Sequence, residues 1–374
     1  MASTVTGGLL RELAGFHAGN GCAVSIYLDL DPSVAPTIPD VDAKFRARVS
    51  EAEKLAESRP LDRDCRLAVR RDVDRLRSWW SDEFERDGAH GLAVFSSSVD
   101  GFFRALPLAC RVGDAVRIDR ELYLTPLVDQ LAHEGTLVAV VSRERGQLFR
   151  LASGRLEQLA DETEAQPGQH DQGGWSQANY RRHIEHLVAQ HLKTVGDAVD
   201  RRVRDALQIV VVSPEEVRGA FAAKLSQEAR DAVIGWATAE AHAGPTELLR
   251  VVRPVLDEAD ARRHEAALRR FDEELGRGGR AAAGWQETLD VAAESRIDQL
   301  LLTEGIERTL WQCPECGRAF AADGTCPVDG LALVERPDGA DVAVHLVLAA
   351  GGDVLQLGAG ALRNAEGIGA LLRY

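Results

Sequence analysis

The sequence predicts an α/β protein of three domains: a mixed-sheet N-terminal domain, an α/β middle domain and an α/β C-terminal domain. Apolar runs of strand length alternate with helical patterns along the chain. The chain has 374 residues, enough for two or three cores at about 100–200 residues per domain. The predicted domains are 1–133, 134–250 and 251–374.

In the first domain, alternating apolar residues at 23–30 predict a strand, and the pattern at 40–87 predicts charged amphipathic helices. Segments 91–97 and 102–108 predict a hairpin, because the Asp100-Gly101 pair between them favours a tight turn. Segment 122–130 is expected to lead out of this domain.

The two later domains continue the alternation of strands and helices. The middle domain is predicted to contain strands at 137–141 and 147–151, a loop and long helix, a buried strand at 207–213, a helix from about Pro214 and a strand near 233–239. A charged helix at 246–276 leads into the last domain. That domain is predicted to contain a helix at 281–293, a strand at 299–303, a cysteine cluster, a helix at 339–350, a strand at 353–357 and a glycine-rich tail.

Composition limits the function and the compartment. The net charge of −15 and pI near 5.2 argue against a nonspecific nucleic-acid coat, so any RNA contact must be local. No run of about 20 apolar residues and no signal-peptide pattern occurs, which predicts a cytoplasmic protein. The six cysteines also suit a reducing compartment better than a disulfide framework.

Residues 168–182 form a glycine-rich segment that runs into a long helix with a basic start. Gly173 and Gly174 lack a β-carbon, so their backbone can lie close against a ligand. Gln177 follows with an amide that both donates and accepts hydrogen bonds. Helical spacing places a stripe of apolar residues on one face of the helix. The remaining faces carry cations, which include Arg181, Arg182 and Lys193.

This segment resembles the Gly-Gly-Gln loop of the archaeal and eukaryotic class I peptide-release factors. The residues stand here as Gly173-Gly174-Trp175-Ser176-Gln177, with two residues inserted before the glutamine. The insertion resembles the bacterial and Vms-like members of the superfamily, which act as peptidyl-tRNA hydrolases in ribosome rescue. The closing residues 367–374 are similar to the Gly-Ile-Gly-x-x-Leu-Arg-Tyr segment of release factors and Pelota-type proteins.

The resemblance implies a ribosome-associated enzyme that hydrolyses the peptidyl-tRNA ester at the peptidyl-transferase centre of the large subunit. Gln177 would position water, and Gly173 and Gly174 would allow close approach to RNA. The implied RNA contacts come from Ser176, Arg181, Arg182 and Lys193. Gln172 is the alternative functional glutamine. A translational GTPase is a further candidate partner.

Three alternative functions compete with this one: stop-codon reading, binding at the A site without catalysis, and serine hydrolysis. The Asn-Ile-Lys-Ser and Tyr-x-Cys-x-x-x-Phe elements with which eukaryotic-type factors decode are absent from residues 1–130, which favours rescue over stop-codon reading. A non-catalytic factor of Pelota or hibernation type that occupies the A site is the competing interpretation. A serine-hydrolase elbow at Ser176 is disfavoured, because the preceding residues are too polar for the strand that it needs.

The cysteine cluster has the spacing of a zinc ribbon. Cys313-Pro-Glu-Cys316 is followed after nine residues by Cys326-Pro-Val-Asp329. Asp329 stands where a cysteine is usual, and its carboxylate can also bind zinc. We therefore predict a structural zinc in a ribbon at about 311–335, held by all four residues; a partial site of three cysteines and a metal-free knuckle are the alternatives.

Overall fold

The computed structural model describes the chain in stretches separated by short gaps. They are residues 5–19, 21–58, 63–86, 89–108, 110–128, 130, 135–152, 154–163, 175–206 and 208–374, with the backbone alone described at 175–181 and 205. The chain divides into two compact units. We call residues 1–132 with 263–374 the composite unit, and residues 133–262 the inserted unit. The division into three domains stays a prediction.

The first part of the composite unit is an antiparallel sheet covered by two long helices. Its elements are α1 (Gly7–Ala14), β1 (Ala23–Asp29), α2 (Ile38–Ser58), α3 (Arg63–Asp82), β2 (Gly91–Ser97), β3 (Phe102–Leu108), β4 (Ala115–Asp119) and α4 (Thr125–Val128). The strand order is β3-β2-β1-β4, and every pairing is antiparallel. The predicted mixed sheet is therefore wrong for this part, because the α2–α3 pair returns the chain so that β2 runs opposite to β1.

The inserted unit has a five-stranded sheet with helices on both faces. Its elements are β5 (Thr136–Val141), β6 (Gly146–Ala152), β7 (Arg155–Asp161), α5 (Trp175–Asp200), β8 (Gln208–Val212), α6 (Glu215–Ala222), α7 (Gln227–Ala232), β9 (Val233–Ala237) and the first part of α8 (Pro245–Gly276). The strand order is β7-β6-β5-β8-β9, with β5, β8 and β9 parallel. Helices α5 to α7 pack on one face and the first part of α8 on the other.

The last part of the composite unit is a four-stranded sheet interrupted by a small ribbon. Its elements are β10 (Ala281–Ala283), α9 (Trp285–Ala293), β11 (Ile297–Thr303), β12 (Leu310–Gln312), β13 (Ala319–Phe320), β14 (Val334–Arg336), α10 (Gly339–Ala349), β15 (Asp353–Leu357) and β16 (Ile368–Leu372). The large sheet has the order β10-β16-β11-β15, and the ribbon has the order β13-β12-β14. The ribbon thus lies between β11 and α10, as its insertion in the sequence predicts.

Two further sequence predictions differ from the structure of the composite unit. The predicted helix at 281–293 begins only at Trp285, because residues 281–283 pair with β16 as a strand. Cys22 and Cys65 form a disulfide, with their Cα atoms 5.2 Å apart. The expectation of reduced cysteines is wrong for this pair, since α3 packs on β1 and brings together residues 43 positions apart. No helix within the stretches described has the length and apolar composition needed to cross a bilayer.

A buried carboxylate on α10 joins the two sequence segments of the composite unit. Asp341 Oδ1 accepts hydrogen bonds from the backbone amides of Leu124 and Thr125 at 2.8 and 2.9 Å, and from the Thr125 hydroxyl at 2.8 Å. One turn later, His345 Nε2 lies 2.6 Å from the Leu122 carbonyl oxygen. Residues 122–125 therefore bind α10 instead of leaving the first part of the unit as free chain.

Asp72 on α3 is a second fully buried carboxylate. Its Oδ1 accepts hydrogen bonds from the Ser96 hydroxyl at 2.7 Å and from the Ser98 amide and hydroxyl at 2.6 and 2.5 Å. Within the described part of the chain its Oδ2 has no hydrogen-bond partner. Burial raises the pKa of Asp72, and the three hydrogen bonds offset only part of that effect.

We expect Asp72→Asn to gain stability relative to the wild type as the pH rises above about 4, the pKa of an aspartate in the unfolded chain. The folded protein has a higher pKa at Asp72 than the unfolded chain, so the charged carboxylate costs wild-type stability as the pH rises through this window. Denaturant unfolding of both proteins across the pH range measures the difference. Asp74→Asn, on the exposed face of α3, is the matched control. A stability difference for Asp72→Asn that does not change with pH would contradict the assignment.

Candidate functional site

The glycine-rich segment is only partly covered by the structure. Gly173, Gly174 and Gln172 lie outside the described residues. The backbone is helical from Trp175, so Gln177 is in the first turn of α5. The side chains of Ser176, Gln177 and Arg181 also lie outside the described residues, and their roles stay predictions.

Helix α5 is fixed against the sheet of the inserted unit along the predicted apolar stripe. Leu192 and Val195 are buried with Ala198 and Val199 against β5, β6 and β8. The helix approaches the start of β6 closely, since a β-carbon at Gly146 would lie 2.4 Å from Val195 Cγ2. A small residue at this position therefore lets the helix pack directly on the strand.

The cationic side of α5 is exposed where it is described. Arg182 and Lys193 are exposed, and no carboxylate of the described residues forms an ion pair with either. His183 and His186 are exposed as well. His191 on the same helix is fully buried, and neither ring nitrogen has a hydrogen-bond partner among the described residues. Arg182 and Lys193 are thus surface residues, whereas His191 belongs to the core.

The predicted zinc ribbon is built from two loops with the same backbone hydrogen bonds. In the first loop, the Cys313 amide donates to the Arg318 carbonyl and the Gly317 amide donates to the Cys313 carbonyl. In the second loop, the Cys326 amide donates to the Leu331 carbonyl and the Gly330 amide donates to the Cys326 carbonyl. Asp329 therefore occupies the position in its loop that Cys316 occupies in the first.

Each loop depends on one glycine in the left-handed region. Gly317 has φ of 72° and Gly330 has φ of 68°, a conformation that side chains with a β-carbon rarely adopt. The sequence carries the corresponding signal, since a glycine directly follows Cys316 and Asp329. Both glycines are functional residues that ligand spacing alone does not identify.

The four side chains come close enough together to hold one ion. Their ligand atoms all lie within 4.8 Å of one another. Cys313 Sγ is 3.1 Å from Asp329 Oδ2, and Cys316 Sγ is 3.6 Å from Cys326 Sγ. In a tetrahedral site with bonds of about 2.3 Å, neighbouring ligands lie about 3.8 Å apart, so the cluster fits zinc after small shifts of the four side chains.

Zinc binding at this cluster must displace thiol protons. The neighbouring Asp329 carboxylate raises the pKa of the Cys316 thiol to about 12. A cation must therefore replace that proton, and metal binding should weaken as the pH falls. Three sulfurs and one carboxylate oxygen would fill the four positions of a bound zinc ion, which is typical of a structural and not a catalytic site.

Arg336 fixes the ribbon to the first part of the composite unit. Its guanidinium lies 3.1 Å from Glu121 Oε2 and 3.2 Å from Asp119 Oδ2, and it also donates to Gln312 Oε1 at 2.6 Å. Gln312 directly precedes Cys313, so Arg336 connects the first loop of the ribbon to Glu121 and Asp119. The cluster is consequently placed by contacts that do not require a metal.

The closing segment 367–374 has a packing role in the structure. Strand β16 lies between β10 and β11 and is buried throughout. A β-carbon at Gly369 would lie 2.6 Å from the Phe271 ring, and one at Gly367, where φ is 81°, would lie 2.2 Å from Ile306 Cδ1. The two glycines are therefore required by close packing within the composite unit.

Comparison with known proteins identifies the class. Residues 123–259 match the model of bacterial archaeo-eukaryotic release factor family 10. The chain is 25% identical over 327 residues to peptide chain release factor subunit 1 of Archaeoglobus fulgidus, covering 83% of this chain and 78% of that protein. It is 30% identical over 212 residues to the protein of the same name from Methanopyrus kandleri, covering 54% of this chain and 51% of that protein.

A solved structure shows a more distant similarity. It is that of S. cerevisiae Dom34, described as a translation termination-like factor involved in RNA quality control pathways and interacting with Hbs1. The match has 13% sequence identity and a TM-score of 0.41, and covers 76% of this chain and 79% of that chain.

The protein is a homologue of the archaeal class I peptide-release factors. Residues 123–259 are similar to bacterial archaeo-eukaryotic release factor family 10. The resemblance noted in the sequence is thereby confirmed.

We expect Asp329→Ala to weaken zinc binding at least about tenfold, because it removes one of four ligands. Asp329→Cys should retain tight binding, since the two loops are equivalent. Elemental analysis of the purified protein and competition with a chromophoric chelator measure content and affinity. Glu315→Ala, which removes an acidic side chain between the two cysteines of the first loop, is the control. Wild-type protein without stoichiometric zinc, or unchanged affinity in Asp329→Ala, would contradict this assignment.

Proposed function

We propose that this protein is a ribosome-associated peptidyl-tRNA hydrolase that releases nascent peptides from stalled or split ribosomes in the cytoplasm. The observation that carries the proposal is the family match at residues 123–259, because that segment contains both the glycine-rich loop and helix α5. Its proposed partners are the large ribosomal subunit, peptidyl-tRNA and a translational GTPase.

The chemistry requires little from titrating side chains. Ester hydrolysis needs a placed water and stabilisation of the developing oxyanion, and an amide side chain with nearby backbone N–H groups can supply both. We assign the water to Gln177, and the close backbone approach to Gly173 and Gly174. Helix α5, which begins directly after the loop, is packed on the sheet through Leu192 and Val195.

The RNA contacts are assigned to the exposed side of the same helix. Arg182 and Lys193 are exposed and without ion-pair partners among the described residues. Ser176 and Arg181 complete the proposed set. In a chain with a net charge of −15, cations left unneutralised on one helix are suited to local phosphate contact.

A non-catalytic ribosome-binding factor of Pelota or hibernation type is the second candidate. The observation that favours it is the helical backbone from Trp175 onward, which places Gln177 inside the first turn of α5. With two residues between Gly174 and Gln177, the glutamine need not occupy the position that the release-factor loop gives it. Such a protein would occupy the A site without cleaving the ester.

We expect Gln177→Ala to lower the rate of peptide release from peptidyl-tRNA on purified 50S complexes at least about 100-fold, because it removes the group that orients water. Gln190→Ala, on an exposed part of α5, is the matched control and should release peptide normally. Quench-flow measurement of the freed peptide gives the rate, and co-sedimentation confirms that each variant still binds.

Three other outcomes separate the alternatives. Loss of release in Gln172→Ala with normal release in Gln177→Ala would move the function to the earlier glutamine. Normal release in both variants would contradict a glutamine-dependent mechanism. Wild-type protein that co-sediments with the complexes but releases no peptide would identify the non-catalytic factor.

A further inference from the structure

A cavity of about 720 Å³ lies inside the composite unit, where its two sequence segments meet. Residues between 111 and 130 line one side, and residues 302–309, 337–341 and 356 line the other. Its volume is within the range of small-molecule sites, about 300–1,000 Å³. It lies at the carboxyl end of β11, next to the parallel strand β15, and ligands of open α/β sheets usually bind outside the carboxyl ends of such strands.

Two buried polar atoms in the wall of this cavity are unpaired. The Thr303 hydroxyl oxygen and the Gln356 side-chain carbonyl oxygen have no hydrogen-bond partner among the residues that the structure describes. They come from neighbouring strands, because Gln356 pairs with Leu302, the residue before Thr303. Buried polar atoms are nearly always paired, since leaving them unpaired is costly. A ligand that donates hydrogen bonds to both oxygens would therefore be stabilised here.

The loop that follows β11 adds charges of both signs to the same cavity. Glu304, Glu307 and Arg308 line it and are exposed. Within the described part of the chain, none of the three forms an ion pair. A guanidinium binds a carboxylate, and a carboxylate binds an ammonium group. The loop can therefore bind a molecule that carries both groups.

The other charged side chains of the cavity are already compensated. Arg111 pairs with Asp29 at 2.8 Å, and Arg117 pairs with Asp338 at 3.0 Å. Asp341 accepts three hydrogen bonds from residues 124 and 125. Together with the loop, the lining has three arginines and four carboxyl groups, which is a net charge of −1 when all are ionised. A ligand with a charge of +1 would balance this lining.

We propose that the cavity binds a free amino acid with a cationic side chain, of which lysine is the simplest. Its α-carboxylate pairs with Arg308, and its α-ammonium group pairs with Glu304 and Glu307. The side-chain ammonium group has three N–H donors, enough for the oxygens of Thr303 and Gln356 together. Lysine also carries the net charge of +1 that the lining requires.

A phosphorylated ligand fits the same cavity less well. The Gln356 oxygen only accepts hydrogen bonds, so a phosphate group that is fully ionised offers it no donor. The unpaired carboxylates of Glu304 and Glu307 would repel the phosphate charge. The chemistry of the lining thus favours an amine over an anion.

The test is isothermal titration calorimetry of the full-length protein with L-lysine and three analogues that each lack one group. Cadaverine lacks the α-carboxylate, Nα-acetyl-lysine lacks the α-ammonium group, and L-norleucine lacks the side-chain ammonium group. We expect L-lysine to bind with a Kd of about 1 mM or lower. Each analogue should bind about tenfold more weakly or worse, because each loses a hydrogen bond to a charged group.

Protein variants assign each lost group to its contact. Arg308→Gln should remove the preference for L-lysine over cadaverine, and the double variant Thr303→Val and Gln356→Leu should remove the preference for L-lysine over L-norleucine. Gln299→Leu, at a position of β11 outside the cavity lining, is the matched control and should keep both preferences. Arg308 is exposed, so its variant tests the site even if the buried substitutions lower stability.

Three results would overturn the proposal. Wild-type protein that shows no binding of L-lysine would identify a cavity that holds only water. Equal affinity for L-lysine and L-norleucine would exclude the contacts with the buried oxygens. Tighter binding of inorganic phosphate than of L-lysine would identify an anion site. The proposed hydrolase does not depend on this site, and peptide release plays no part in the measurement, so failure here leaves that proposal unchanged.

Discussion

The buried carboxylate of Asp341 accepts three hydrogen bonds from the segment Leu124–Thr125. The composite unit depends on that contact because it joins residues 1–132 to residues 263–374, which are far apart in sequence. Burial raises the pKa of Asp341, so the donors, with His345 nearby, offset part of the cost of removing the carboxylate from water. Arg117 with Asp338, and Arg336 with Glu121, add ion pairs between the same two parts. Two distant stretches of the chain are therefore held as one framework.

Much of the fold could be predicted from the sequence where the signal is local. The strand at 353–357 and the long helix ending at Gly276 match the structure closely, because periodicity within a segment determines both. Strand direction in the first sheet and the Cys22–Cys65 bond could not be predicted, since each depends on which distant segments pack together. The burial of Asp72 and His191 has the same cause. A polar residue in a helical pattern does not reveal whether it faces a strand.

The same distinction applies to the candidate sites. The four candidate metal ligands lie within 17 residues, and the equivalence of the two loops puts Asp329 at the position of a fourth cysteine. The family could be identified because its motif residues are contiguous in the chain. The position of the proposed functional glutamine, by contrast, could not be determined from contiguous residues. The two-residue insertion before Gln177 allows more than one alignment of this sequence with the relatives' loop. Local spacing cannot choose between these fits, because the choice depends on what surrounds the loop when it is bound.

The position of β16 inside its sheet has a consequence for biosynthesis. This strand pairs with both β10 and β11, yet it comprises residues 368–372. The inserted unit, by contrast, has all its strands between residues 136 and 237. During translation the inserted unit can complete its sheet while the C-terminal sheet still lacks an inner strand. A nascent chain shortened by its last seven residues would expose the edges of β10 and β11 and become a target for aggregation or proteolysis.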